Sequence, residues 1–383
     1  MKKICIITTV SFTMKCFVVE TAKYLHDEQG YDVTLICDDD EAFAKTLPKY
    51  LHYVPVPMSR GINFSGFKAI KTFKRIFKQE KFDLVQYATP NASFYASIAA
   101  KRTKVPIRLY CQWGIRYVGF SGIKRCIFKF LEKIVCTLST HIFAVSPLNM
   151  KFAIGEKLYK KEKAQVVGNG GTIGVNMQVY DRQRKVEWRK EIRERHEISK
   201  DTFVFGFVGR ISADKGCGEL LTSFKEVCQE NENVKLLIIG PMDEDCDVDT
   251  ELLEWAKHSD KVVFTGYVNN VEMKAYYAAL DMLVHPTLRE GFGMVIQEAG
   301  ALAVPVITTT IPGASEVMVE NESCLLVEPK NSKSLQEAML ISCNQPERTV
   351  ELGQKAYERT AELYERRIML KNQEQAYKKL LEE

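Results

Sequence analysis

No run of about 18 apolar residues occurs in the 383-residue sequence, so no helix is expected to span a membrane. The opening Met-Lys-Lys-Ile-Cys-Ile-Ile-Thr-Thr has only a brief apolar run and no small-residue cleavage site, which reads as a first strand, not a signal peptide. The protein is therefore expected in the cytoplasm. None of the eleven cysteines stands two residues from another, the spacing of a zinc knuckle or redox pair, and their number is odd. Most lie in apolar segments (Cys5, Cys37, Cys126, Cys136, Cys228, Cys324) and read as small buried hydrophobes in a reducing compartment, with no metal site. Also missing are a Gly-x-Gly-x-x-Gly turn after any strand-like run and a phosphate loop ending Gly-Lys-Ser/Thr, which weighs against a dehydrogenase or a nucleoside triphosphatase.

What is present suits two domains. The length exceeds one ordinary core, and 46% hydrophobic with 27% charged residues is usual for a globular chain. The net charge of +4 hides an asymmetry: 27 Lys and Arg against 13 Asp and Glu over residues 1–180, then 26 against 36 over the rest. A basic first half points to an anionic surface or acceptor on that side.

Short β-branched and apolar runs alternate with helical spacing from residue 3 onward. Strands are expected at 3–9, 33–37, 53–54, 83–87, 107–110 and 142–145, with helices over 17–25, 66–79, 91–102 and 122–137 between them. A strand at 165–167 leads into Gly168-Asn169-Gly170-Gly171, which reads as a hinge or tight crossing, and a polar stretch up to about Lys200 follows. The pattern restarts with strands at 203–208, 235–239, 262–265, 282–284, 305–307 and 324–327 and helices at 218–230, 250–257, 271–279 and 332–345. Each half is therefore α/β with a parallel sheet covered on both faces, a Rossmann-like domain. The last thirty residues form a charged helix with Tyr364, Ile368, Leu370, Tyr377 and Leu380 as an apolar stripe in need of a partner.

Residues 281–301 are the most informative stretch. A buried strand leads to Arg289-Glu290-Gly291-Phe292-Gly293, and a helix starting near Gly293 carries Glu298. Backbone N–H groups at a helix start favour an anion or a sugar hydroxyl. A carboxylate pair is more often a loop charge and a helix-surface charge. Beside a Gly-Phe-Gly turn at the carboxyl end of a strand, where open α/β sheets bind ligands, a shared ligand becomes the better reading. In the loop after strand 203–208, Arg210 and Lys215 stand between Gly209 and Gly216, a fork and a point charge suited to phosphate oxygens.

These motifs resemble the retaining nucleotide-sugar glycosyltransferases of family four. That resemblance implies the GT-B fold, two facing Rossmann-like domains with an interdomain cleft: an acceptor domain over 1–175, rejoined by a C-terminal helix at about 362–383, and a donor domain over 176–361. It further implies that Glu290 contacts the donor hexose near the reacting carbon, that Glu298 accepts the ribose hydroxyls, and that Arg210 and Lys215 neutralise the leaving diphosphate. The backbone of Gly291, Phe292, Gly293 and Met294 would hold hexose hydroxyls or phosphate, that of Val268 would flank the base, and Gly209 would be part of the donor-binding site. No metal and no cofactor beyond the donor, a UDP-sugar by preference, is required.

Many members carry a histidine in the loop after the strand here at 107–110, where this sequence reads Cys111-Gln112-Trp113-Gly114-Ile115-Arg116-Tyr117. Trp113, Arg116 and Tyr117 could stack on and bind a sugar or its diphosphate; a buried Trp and a surface Arg are the plainer alternative. His285 reads as a satisfied buried histidine. Two basic helices look amphipathic: Ile70, Phe73, Ile76 and Phe77 oppose Lys71, Lys74, Arg75 and Lys78, and Ile123, Ile127, Leu131 and Ile134 oppose Lys124, Arg125, Lys129 and Lys133. Such helices either cover a sheet or lie on an anionic leaflet. The expected activity is transfer of a hexose or N-acetylhexosamine to a polyprenyl-diphosphate-linked sugar in surface polysaccharide or glycan assembly, with peripheral contact to an anionic membrane surface. A UDP-sugar epimerase of the same fold is the alternative enzyme. An anionic-lipid or nucleic-acid binding module fits less well, and no nucleic acid partner is expected.

Overall fold

A computed structural model describes residues 1–58, 64–243 and 246–382. The chain divides into two compact units, residues 1–173 with 367–383, and residues 174–366.

The first unit runs β1 (Lys3–Ile7), α1 (Ser11–Phe17), α2 (Val19–Gln29), β2 (Asp32–Cys37), α3 (Glu41–Thr46), β3 (His52–Pro55), α4 (Phe64–Glu80), β4 (Leu84–Tyr87), α5 (Pro90–Arg102), β5 (Ile107–Gln112), α6 (Gly122–Leu138), β6 (His141–Ala144), α7 (Pro147–Gly155) and β7 (Ala164–Val166). Among the described residues its sheet is seven-stranded and parallel, in the order β3-β2-β1-β4-β5-β6-β7. Strands buried on both faces are largely apolar, as Ile4–Ile7 illustrates. One face packs Phe73, Phe77, Tyr95 and Val135 from α4, α5 and α6, and the other packs Val19, Ala22 and Leu25 from α2. The last helix, Arg366–Glu382, adds Tyr377, Leu380 and Leu381 to that second face.

The second unit contains α8 (Lys185–Arg195), β8 (Phe203–Val208), α9 (Cys217–Glu230), β9 (Val234–Ile239), α10 (Thr250–His258), β10 (Val262–Gly266), α11 (Met273–Ala279), β11 (Met282–His285), α12 (Met294–Ala301), β12 (Val306–Thr309), β13 (Cys324–Val327), α13 (Ser332–Asn344) and α14 (Pro346–Leu363). Its parallel sheet has the order β10-β9-β8-β11-β12-β13, so strand order reverses between β8 and β11. That switch point is where doubly wound sheets open a crevice at their carboxyl ends.

Several details differ from the sequence reading, in which α1, α3, α7, α8 and the first half of α14 have no counterpart. α7 is announced by Ser146, whose side chain accepts from the Asn149 N–H, followed by Pro147 in the first helical position. α8 lies in what was read as a polar stretch; only Trp188 and Ile192 give it an apolar stripe, and it is held instead by Arg189 and Arg193, each 2.6 Å from Asp281.

The C-terminal segment is not one helix. α14 ends at Leu363 and a new helix, α15 (Arg366–Glu382), begins after a break in which Val175 and Glu365 form a parallel bridge, with the Val175 N–H donating to the Tyr364 carbonyl at 2.8 Å. Glu383 lies outside the described residues. The thiols also differ: all eleven cysteines are free, but Cys126 is exposed and Cys228 is half-buried, packed at the margin of the second unit's core.

Candidate active site

The loops that leave β8 and β11 begin on neighbouring strands at the switch point, and a set of short contacts ties them together. The Leu288 N–H donates to the Asp214 carbonyl at 2.9 Å, and the Arg289 guanidinium lies 2.9 Å from the Asp214 carboxylate. Gly216 has φ +72°, and a Cβ there would lie 2.1 Å from the Pro286 carbonyl oxygen, so only glycine lets the loops approach this closely. Gly313 supports the second loop in the same way, since a Cβ would lie 2.3 Å from the Gly291 oxygen.

This stitching brings Lys215 of the first loop and Glu290 of the second together, Nζ to Oε2 at 3.0 Å. The same oxygen receives His285 Nε2 at 3.0 Å, while Glu290 Oε1 accepts the Gly291 N–H at 3.0 Å. Burial pushes the Glu290 carboxyl up, but the Lys215 ammonium and the His285 hydrogen bond outweigh it and hold the group well below the usual carboxylate range. Glu290 is therefore ionised throughout the neutral range. His285 is buried and its protonation is held below the ordinary imidazole value, first by burial, against the pull of Glu290. His285 is a buried histidine, as expected, but not a satisfied one, because Nδ1 has no hydrogen-bond partner among the described residues.

Glu298 sits on α12, where the Tyr277 hydroxyl of α11 donates to its Oε2 at 2.7 Å and Tyr180 hydrogen bonds to it as well. Burial raises its carboxyl above the ordinary value, and the two tyrosine hydroxyls and Arg366 oppose that rise. Arg210 is exposed at the start of the first loop and forms an ion pair with Asp243, which follows β9. Tyr277, Tyr180, Asp243, Asp214 and Arg289 are the partners that the sequence did not single out. Tyr277 stands in an apolar helical run where spacing reads only as core, and the others carry no local pattern.

Gly293 caps α12 at φ +25°. The Phe292 side chain is buried against Tyr364, ring centroids 5.6 Å apart, so the residue anchors the turn while its backbone forms it. Met294 opens α12, and Gly209 adopts φ +152° beside β9. Val268 is half-exposed in the loop after β10.

Trp113 and Arg116 belong to the first unit. The Trp113 ring lies 5.7 Å from that of Phe17 and borders a small cavity of about 40 Å³, and the Arg116 guanidinium lies 4.7 Å over the Phe128 ring. Tyr117 is a core residue, 1% exposed and donating to Glu156, which corrects its reading as a sugar-stacking group.

The two amphipathic helices divide. Phe73, Ile76 and Phe77 of α4 are buried in the core, so its apolar face covers the sheet. On α6, Ile123 is 79%, Ile127 52% and Phe130 65% exposed, an apolar stripe turned to solvent beside Lys124 and Lys133. No helix of the described residues is long and apolar enough to cross a membrane.

Two parallel doubly wound units of this build are those of the GT-B fold. Residues 189–359 match the family described as Glycosyl transferases group 1, and residues 3–146 the family described as Glycosyl transferase 4-like. Over 356 residues the chain is 30% identical to the capsular polysaccharide biosynthesis glycosyltransferase CapM of Staphylococcus aureus, covering 93% of this chain and 92% of that protein. It is 23% identical over 314 residues to the Escherichia coli UDP-Gal:alpha-D-GlcNAc-diphosphoundecaprenol alpha-1,3-galactosyltransferase, covering 78% and 76% of the two chains. The solved structure of Anabaena Alr3699/HepE in complex with UDP shares the fold with a TM-score of 0.79 at 17% identity, over 99% of this chain and 100% of that one. The chain belongs to the group 1 glycosyltransferases, family four, and is a glycosyltransferase.

Proposed function

We propose that this enzyme transfers a hexose or N-acetylhexosamine from a UDP-sugar to a lipid-linked sugar in surface polysaccharide assembly, with retention of anomeric configuration and without a metal. The observation that carries the reading is the Lys215–Glu290 pair at the switch point of the second unit, 3.0 Å across. An ionised carboxylate beside a cation suits a substrate that has sugar hydroxyls at one end and a diphosphate at the other. HepE has been solved with UDP and with UDP-glucose, and the E. coli relative's name gives a diphosphoundecaprenol acceptor.

In this reading Lys215 and Arg210 neutralise the diphosphate, Glu298 receives the ribose hydroxyls, and Glu290 orients the hexose through its hydroxyls. Gly291, Phe292, Gly293 and Met294 contribute backbone, and Val268 borders the base. The bond between the anomeric carbon and the β-phosphate oxygen breaks as the acceptor oxygen bonds on the same face. The acceptor proton passes to the leaving phosphate oxygen, and UDP departs. The protein supplies position and charge stabilisation, not a nucleophile. The exposed stripe of α6, flanked by lysines, is the surface that would rest on an anionic leaflet; α4, with its apolar face buried, would not. Trp113 and Arg116 would serve the acceptor side.

The test is a thermal-shift panel of nucleoside diphosphates followed by transfer assays from UDP-sugars to a polyprenyl-diphosphate-linked sugar. Stabilisation by UDP that is lost in Arg210→Ala, with an axial donor linkage kept in the product, is the expected result. No shift with any nucleotide overturns the proposal.

A further inference from the structure

Beside the candidate site, Nδ1 of His285 is a buried polar atom with no hydrogen-bond partner among the described residues. The residue ends β11, is 1% exposed, and its backbone is fixed by the ladder to β12 and by the Thr308 hydroxyl, which donates to the His285 carbonyl at 2.9 Å. A neutral imidazole has one N–H and one lone pair. A proton on Nδ1 would leave a buried donor unpaired and turn the Nε2 lone pair toward a carboxylate. The tautomer with the proton on Nε2 avoids both faults, because the donor meets Glu290 Oε2 and only an acceptor is left unmatched. Double protonation would bury an Nδ1–H with no acceptor.

Glu290 Oε2 thus has two donors of different character. Lys215 Nζ ends a flexible four-carbon stem and is drawn to any anion that enters; the His285 ring is fixed by its strand and by burial. A bound diphosphate competes for the ammonium. Once Lys215 turns toward it, Glu290 keeps one strong, oriented donor from a rigid element. We propose that His285 is a positioning residue for Glu290, a fixed neutral Nε2–H donor that holds the carboxylate in place while Lys215 moves between Glu290 and the donor diphosphate.

This rests on the reading of Glu290 as a donor contact, and the experiment separates the two claims. His285→Gln carries an amide N–H to the position of Nε2, whereas His285→Asn is of similar polarity but too short to reach Glu290. Turnover is measured with UDP-glucose, UDP-galactose and UDP-N-acetylglucosamine, and UDP affinity and melting temperature are measured in parallel. His285→Asn is expected to lose about 10- to 100-fold in kcat, in the manner of lost supporting hydrogen bonds, with its UDP affinity within about twofold of wild type. His285→Gln recovers most of that rate at a similar melting temperature. Equal losses in the two variants, or none in either, overturn the positioning role. Glu290→Gln serves as the control: wild-type turnover in that variant would remove the reading of Glu290 itself, whereas a crippled Glu290→Gln beside an unaffected His285→Asn removes only the role of His285.

Discussion

The Lys215 ammonium and the Glu290 carboxylate are 75 residues apart in sequence and 3.0 Å apart in the fold, joined because β8 and β11 are neighbours in the sheet. The pair is partly sheltered, 21% and 18% exposed at the side chains, so its attraction is screened less than that of a surface pair.

Removing the ammonium leaves a half-buried carboxylate with His285 as its remaining side-chain donor. Lys215→Met is expected to destabilise the second unit by about 1.5–3 kcal/mol, the range for a hydrogen bond to a charged group, and to abolish measurable transfer. Chemical denaturation followed by circular dichroism, beside a transfer assay, checks both.

Acid should act through the same pair. Glu290 is held below the ordinary glutamate value of 4.5, so its contribution is complete above that pH and is lost as pH falls through the lower folded value. Unfolding free energy measured in urea across the acid range is expected to fall more steeply below pH 4.5 in wild type than in Glu290→Gln. Parallel curves would show that the ion pair contributes nothing.

Glu298 has the opposite sign. Burial raises its carboxyl, so the native state holds its proton more tightly and stability falls as pH rises from the ordinary value through the folded one. Glu298→Gln removes that slope and is expected to raise the melting temperature at neutral pH, while UDP affinity falls roughly 10- to 100-fold, the loss expected when a charged hydrogen bond of about 1.5–3 kcal/mol is removed. Calorimetry with UDP and with its 2′,3′-dideoxy analogue checks the contact, because the variant should no longer distinguish the two.

The α6 stripe gives a fourth expectation. Ile127→Glu and Phe130→Glu should each weaken sedimentation with phosphatidylglycerol vesicles about tenfold or more, as an apolar side chain worth about 1.5–3 kcal/mol is lost and a charge repelled. Both positions are largely exposed, so folding should be unaffected. Phe73→Glu on α4 is the contrast, since it should unfold the first unit.

Where the sequence was legible, periodicity and glycine did the telling. β-branched runs gave the parallel strands, and the density of glycine around Gly209–Gly216 and Gly291–Gly293 marked the two loops that meet. The Glu290 and Glu298 pair was visible as a motif, yet its partners were not: Lys215 reaches Glu290 only through strand order, and Tyr277 reaches Glu298 from a helix that reads as plain core. α8 was missed because arginines bound to Asp281 do the work an apolar stripe does elsewhere. The two amphipathic helices show the limit of a stripe, since α4 and α6 have similar patterns and opposite outcomes, and only the neighbouring elements decide which face is covered.

The bridge between Val175 and Glu365 sets the two ends of the second unit side by side. Residues 174–366 therefore enter and leave through a single doorway, which makes that unit an excisable insert in the chain's topology. Expressed alone with its ends joined, it should fold and take up UDP without the remainder, and a tether pulled from the chain's own termini would bypass it.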